Sequence, residues 1–530
     1  MRHLIIFFVL LLMATPAIAG NTTGEITLGG QFVSGNNTDN SAQFLKYRDI
    51  DDQVLSGVKI STGQDGFFLT GSAENIGYDD QEYALAGNFF GKGKFSLWYD
   101  ELTHNYSLDD KTLHTGTGSG NLVFAGVDES DASTWLSHDF NVDRSQIGAS
   151  FEITMDSPFF VLGEITRTEK EETYPIAVQD DGRTPMEVPA PVDYTTDIFT
   201  VKAGYNTQKF FAQVDVMFSD FSNDEDLLEW EPTPTGDDPP GTTYTLAPDN
   251  DSIQIGGQFI LRELPVSSIL AMRGSYAENE SDPTLPELAG GVSWDGEQTY
   301  TNFDAKLKSR PSDQLTTKIA YHYTEKDNDG DSLDYADMFG PNASEEIARY
   351  LRPYDAADKD EDTIRWQFDM IPCDTVDLGL NLAYSDSDYD ETVIGRTEDD
   401  EHSIVLDASI ALPMSGQLYV YAGYEERALE SANVRYRNNA EGSIDGGVPI
   451  PSADENSERY NWDIEREDIG TSFGVKCDMP LMQERLKLSA AYDYMDNDGE
   501  AGSVQLTRQP TALRLKTSRP MTTTPSRPSS

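Results

Sequence analysis

Cysteine is nearly missing from this 530-residue chain, which has only Cys373 and Cys477, far apart in sequence. No C-x-x-C-H occurs, so the chain cannot attach c-type haem by that motif. A disulfide between the two, or two lone thiols in separate turns, are both open readings. Basic residues are scarce as well. Against 93 Asp and Glu stand 38 Lys and Arg, for a formal charge of −55, which argues against nucleic acid and anionic ligands as partners. Of six histidines, His3 lies in the leader, and His104, His114, His138, His322 and His402 are scattered without metal-ligand spacing. Enzyme motifs are absent, so no catalytic, cofactor-binding or metal-binding residue is nominated. Glu325-x-Asp327-x-Asp329-Gly330 loosely resembles a calcium loop, but Ala336 stands where that loop needs glutamate, and an acidic loop is expected instead.

Long apolar runs are confined to the N-terminus. Arg2 and His3 precede the run Leu4 to Met13, and Ala17-Ile18-Ala19 supplies a small-x-small cleavage site. This pattern is that of a secretory signal peptide over 1–19. Beyond it nothing approaches the roughly 18 apolar residues of a spanning helix.

What fills the chain instead is alternation. Leu315, Thr317, Ile319, Tyr321 and Tyr323 share one face of a strand, with Thr316, Lys318, Ala320, His322 and Thr324 on the other. Val376, Leu378, Leu380, Leu382 and Tyr384 repeat the pattern against Asp377, Gly379, Asn381, Ala383 and Ser385. Strands of about ten residues with one apolar face are enough to cross a bilayer as a β-barrel. Weaker segments bring the expected number to roughly twenty strands. Short connections such as Asp156-Ser157-Pro158 and Leu412-Pro413-Met414-Ser415 alternate with long ones over about 222–251, 328–360 and 429–464. In an outer-membrane barrel the short turns are periplasmic and the long loops extracellular. Aromatics at strand ends (Trp98, Tyr99, Tyr321, Tyr384, Tyr492) fit an interfacial belt. A soluble β-sandwich or solenoid also alternates, but would not need strands this long or two classes of loop. The fold class expected is therefore all-β, a large transmembrane antiparallel up-and-down β-barrel in the outer membrane, spanning 20–500.

Acidic residues concentrate in Asn223 to Asp226, Asp355 to Asp362 and Glu398 to Glu401, and these are expected to lie between strands as solvated loop surface. The segment 501–530 differs from everything before it. It has no acidic residue, but carries Arg508, Arg514, Lys516, Arg519 and Arg527 among prolines. One account is a disordered basic tail. The preferred one is a change of reading frame near residue 500, with the closing strands missing.

Several segments resemble the MtrB/PioB family of outer-membrane barrels. Phe44-Leu45-Lys46-Tyr47-Arg48 is similar to that family's F-x-x-Y-R motif. Tyr99-Asp100, His104-Asn105-Tyr106-Ser107 and Thr115-Gly116-Thr117-Gly118 resemble its Y-D…P-H-N-x-S…S-G-x-G segment, with Thr103 in place of proline. Tyr321-His322-Tyr323 and Leu406-Asp407-Ala408-Ser409 echo its recurring hairpins. The resemblance departs in two ways: some members carry an N-terminal C-x-x-C that this chain lacks, and the family ends in a membrane strand. It implies a porin-like sheath that houses a periplasmic multihaem c-type cytochrome in its lumen for electron transfer across the outer membrane. An outer-surface multihaem cytochrome is an optional further partner, and outer-membrane lipid surrounds the barrel. Haem would be carried by the partner, with no cofactor in this chain. Twenty strands would give a backbone diameter of about 40 Å, too wide for side chains to fill. Water, a plug or another protein must occupy it, and a diffusion or substrate-specific porin is the alternative reading.

Overall fold

The computed structural model describes residues 21–32, 46–47, 53–154, 157–180, 184–231, 242–281, 296–329, 357–390, 395–433, 462–481, 486–505 and 512–516. The leader over 1–19, most of the first motif and the long segments 330–356 and 434–461 lie outside them.

The alternating segments form strands. In chain order these begin β1 (Asn21–Gln31), β2 (Gln53–Gln64), β3 (Phe67–Glu74), β4 (Glu82–Phe89), β5 (Gly93–Thr112), β6 (His114–Thr115), β7 (Asn121–Phe124) and β8 (Leu136–Ile153). Next come β9 (Phe159–Asp180), β10 (Thr184–Asn206), β11 (Phe210–Asn223), β12 (Leu227–Trp230), β13 (Thr242–Thr245), β14 (Asn250–Leu264), β15 (Ser268–Ser281) and β16 (Gly296–Ser312). The last are β17 (Leu315–Asn328), β18 (Asp358–Cys373), β19 (Val376–Asp390), β20 (Gly395–Leu412), β21 (Gly416–Asn433), β22 (Trp462–Leu481), β23 (Leu486–Gln505) and β24 (Ala512–Lys516).

The chain divides into two compact units. The first comprises Met1–Thr207, Gln213–Ile255 and Glu278–Gly296, and the second Gln208–Ala212, Gly256–Ala277 and Glu297–Ser530. In the first, β1 to β5 pair in succession, and β5 continues through β8 and β9 to β10. In the second, β16 to β24 pair each with the next. Every one of these pairs is antiparallel, the up-and-down pattern that short turns dictate. The turn Pro413–Ser415 is a single 3-10 turn that holds Met414 and Ser415 at φ 63° and 60°. That costs non-glycine residues about 1–2 kcal/mol each.

The predicted faces are reproduced in register. Ile319 stands opposite Trp366, Trp366 opposite Leu382, and Leu382 opposite Ile404, a continuous apolar row over four strands. Most of this face is exposed rather than packed inside: Trp366 is 41 % exposed, Leu406 52 % and Phe473 43 %. A broad exposed apolar face marks contact with a non-aqueous medium. Aromatic pairs stand along it, including Trp366 with Phe368 at 4.8 Å and Phe473 with Tyr494 at 5.4 Å between ring centres.

The strands exceed the expected length. β22 runs 20 residues and β10 runs 23. Consequently two of the three acidic segments expected between strands are not loops. Asp358 to Asp362 open β18, and Glu398 to Glu401 lie inside β20. β23 likewise carries Asp496 to Glu500 within it and reaches Gln505, so residue 500 falls inside a strand. Asp and Glu disfavour strands intrinsically, but ladder hydrogen bonds to both neighbours override that preference. Cys373 ends β18 and Cys477 lies well inside β22 rather than in a turn, and both thiols are free.

Candidate functional site

In the first unit the segments that carry the family resemblance come together. The Tyr47 ring stacks on His104, with centres 4.6 Å apart and planes at 23°. His104 in turn lies 4.1 Å from Tyr106, and the Lys46 ammonium sits 5.3 Å over the Tyr47 ring. The Asn105 N–H donates to the Lys46 carbonyl at 3.0 Å, locking the two segments at backbone level. Nε2 of His104 is shielded from solvent and has no hydrogen-bond partner. The Thr115-Gly116-Thr117-Gly118 segment turns the chain between β6 and β7. Gly116 has φ +85°, and a Cβ there would lie 2.4 Å from the Asn121 carbonyl, so only glycine fits.

Beyond that turn the first unit carries a small second sheet that periodicity did not reveal. β6, β7, β12 and β13 form it, with β12 parallel to β7 although more than a hundred residues follow β7 before β12 begins. Leu122, Leu228, Trp230 and Leu246 pack against Val178, Val188 and Ala190 of the β9–β10 hairpin in one buried cluster. His114 is fully buried beneath it, its Nε2 2.9 Å from the Glu231 carbonyl. Strands this short, paired across such sequence distance, leave no local signal.

The inner face of the second unit is polar and charge-paired. Lys318, Gln367 and Asp369 form a chain, with Lys318 Nζ donating to the Gln367 carbonyl oxygen at 3.2 Å and the Gln367 amide donating to Asp369 at 2.9 Å. Asp399 accepts from Arg427 at 2.6 Å and from Arg396 at 2.9 Å. Arg466 pairs with Asp468 at 2.7 Å, and Asp478 stands between Lys476 and Lys487, each 3.6 Å away. Among the described residues of β16 to β22, every Lys and Arg sits on this inner face, apart from Arg310 at the turn.

The outer face is arranged differently. On strand after strand, the next outward residue beyond the last apolar or aromatic side chain is a carboxylate. Glu325 follows Tyr323, Asp362 follows Ile364, and Asp386 follows Tyr384. Asp400 follows His402, Glu426 follows Tyr424, and Glu467 follows Ile469. Register sets many of them directly against one another: Asp362 faces Asp386, Asp386 faces Asp400, and Asp388 faces both Asp360 and Glu398. Belt tyrosines reach up to this rim. Tyr321 Oη donates to Asp362 at 2.5 Å, and Tyr424 Oη to Glu426 at 2.5 Å. Asp386, Glu398 and Asp400 each bring a carboxylate oxygen within 4.8 Å of the others. Oδ1 of Asp400 is shielded from solvent and accepts no hydrogen bond.

Each of the other described histidines outside the small sheet has its own polar neighbour. His138 meets Thr173 at 2.8 Å, His322 meets Asp304 at 3.3 Å, and His402 meets Glu426 at 3.1 Å. Glu325 and Asp327 of the calcium-like stretch lie in β17 rather than in a loop, and its Gly330 and Ala336 fall outside the described residues.

The family of outer membrane beta-barrel porins MtrB/PioB matches residues 36–340 and 334–514. No curated protein matches the chain. Among solved structures, a mutant of the ferric enterobactin receptor PfeA from Pseudomonas aeruginosa has 9% identity and a TM-score of 0.44, over 92% of this chain and 74% of that one. The copper transporter OprC has 10% identity and a TM-score of 0.43 over the same shares. OmpT of Vibrio cholerae, in its in-vitro folded form, has 12% identity and a TM-score of 0.24 over 89% of this chain and all of its own. With alternating antiparallel strands, an exposed apolar outer face and a family match along most of its length, the chain is a transmembrane up-and-down β-barrel of the outer membrane and belongs to the MtrB/PioB family of outer-membrane β-barrel porins.

Proposed function

We propose that the barrel is a sheath that houses a periplasmic multihaem c-type cytochrome and so lets electrons cross the outer membrane. The observation that carries this reading is the inner face. Its charges are paired with one another side by side, as at Asp399 with Arg396 and Arg427 and at Asp478 with Lys476 and Lys487. A wall that settles its own charges suits close contact with a large protein surface, because neither partner must then bury an unpaired charge. Barrels of about twenty strands have lumens too wide for their own side chains to fill, which leaves room for such an occupant. The chain lacks C-x-x-C-H, so haem must come with that occupant.

Purification from native membranes should bring down a haem-staining protein in fixed proportion to the barrel. Liposomes holding the barrel alone should fail to reduce an enclosed acceptor and should do so once the cytochrome is added. Electron transfer by the bare barrel, or solute flux through it with no cytochrome recovered, would transfer the case to a diffusion or substrate-specific porin.

A further inference from the structure

The long hairpin of β9 and β10 leaves the barrel wall part of the way along. Its ladder to β8 runs from Val161 opposite Ile153 to Glu172 opposite Val142 and stops there. β9 and β10 stay paired with each other beyond that point, as far as Asp180 opposite Thr184. Glu172, at the break, has φ 96°, a left-handed value that a non-glycine residue holds only where the surrounding structure imposes it. β9 starts at the short turn after β8, and about ten tilted residues suffice to cross a bilayer. The stretch past Glu172 therefore lies at the extracellular end.

Side-chain parity shows which way the hairpin turns. Phe159, Val161 and Ile165 of β9 and Phe199 of β10 are exposed on the lipid-facing side. Thr173, Pro189 and Pro191 continue that odd-numbered set, yet all three are buried. Thr173 Oγ1 lies 2.8 Å from Nε2 of His138. His138 and the buried Phe140 share the even-numbered face of β8 with Arg144 and Gln146, opposite to the exposed Ile147, Phe151 and Ile153. An outer-parity face of the hairpin thus rests on the inner-parity face of β8. Those two faces can meet only if the hairpin has folded over the lumen side of its own wall.

The other face of the hairpin is then turned further inward, and it is covered. Val178, Val188 and Ala190 pack there against Leu122, Leu228, Trp230 and Leu246 of the small sheet. Backbone bonds fasten that sheet in place: the Asp224 N–H donates to the Asp193 carbonyl at 3.0 Å, and the Glu229 N–H to that of Gly120 at 2.7 Å. Wall, hairpin and small sheet are stacked in that order. Packed sheets lie about 10 Å apart, so the two added layers reach about 20 Å in from the wall, against a backbone diameter of about 40 Å for twenty strands.

We propose that the β9–β10 hairpin beyond Glu172, together with the small sheet of β6, β7, β12 and β13, is a built-in cap that stands inside the wall and narrows the extracellular opening. The cap belongs to the chain itself, so it acts whatever occupies the lumen below it. It makes the barrel wide from the periplasmic side and narrow from the outside.

Polymer exclusion tests this on the full-length barrel refolded alone into planar bilayers. Polyethylene glycols of graded size, added to one side at a time, lower the conductance only if they enter the lumen. Polymers added on the extracellular side should be excluded at a clearly smaller size than those added on the periplasmic side. Leu228→Asp with Trp230→Asp puts two unpaired charges into the core between hairpin and sheet, on a strand outside the barrel ladder. That variant should conduct severalfold more and lose the difference between the two sides, whereas Glu229→Gln, exposed on the same strand, should behave as the unaltered chain. Equal size limits on the two sides of the unaltered barrel overturn the proposal. So does a difference that the double variant retains, since the narrowing would then lie elsewhere. If the double variant does not refold, the two-sided comparison of the unaltered barrel decides.

Discussion

Asp399 and Asp400 are neighbours on β20 and live in opposite surroundings. Asp399 points inward between Arg396 and Arg427 with its side chain only 12 % exposed. The two guanidiniums offset its charge at 2.9 and 2.6 Å. Asp400 points outward, facing Asp386 across the strand pair and standing close to Glu398. One step along the chain changes a neutralised carboxylate into one of a repelling set. The inner wall is built to be complete by itself. The outer rim leaves its carboxylates facing one another. The first unit shows the contrast from the other side, because there one outward carboxylate does have a partner: Arg167 grips Asp197 with two hydrogen bonds, one of them 2.8 Å long.

The largest test of this two-faced design is at mid-strand, where the outer face meets hydrocarbon. Leu380→Arg should destabilise the barrel by about 2–4 kcal/mol, while Asn381→Arg, one residue on and facing inward, should be mild. Urea titration of the two refolded variants measures both, and equal tolerance would break the assignment of faces.

Next in size is the inner network. Asp399→Asn leaves Arg427 and Arg396 without their shared acceptor charge. Both arginines are partly exposed, so solvent screens the loss, and a destabilisation of about 1 kcal/mol is expected. A cost no larger than that of an outer-rim substitution such as Asp388→Asn would erase the distinction between the faces.

Much of this was legible in the sequence, and the part that was not has a common cause. Period-two alternation placed Leu380 and Asn381 on opposite faces, and placed the belt at Tyr321, Tyr384 and Tyr492. The same alternation continues through Asp358, Asp360 and Asp362 on one face and Lys359, Glu361 and Thr363 on the other, yet these residues read as loop because aspartate is a turn former and a poor strand former. Only the ladder to β17 and β19 shows that they are strand. The meeting of Tyr47 with His104 was invisible for a different reason, since it joins segments that alternation cannot relate. The pairing of β7 with β12 likewise rests on contacts between residues over a hundred positions apart, such as Asn121 and Glu229.

The smallest effect is also the most pointed test of the rim. Ala428 on β21 is an outward position flanked by Asp400 on one side and Glu467 on the other, the one small neutral side chain between two carboxylates in that row. A lysine there would face opposite charges on both neighbouring strands, and cross-strand pairs of that kind contribute about 0.2–1 kcal/mol. Lysine also has the reach to leave the apolar belt and hold its ammonium at headgroup height. Ala428→Lys should therefore stabilise the barrel slightly against thermal unfolding at low ionic strength, and the gain should shrink in high salt. A destabilisation would mean that Ala428 is closed in by packing rather than open to the lipid edge. A gain that salt leaves unchanged would mean that relief of the rim's repulsion is not its source.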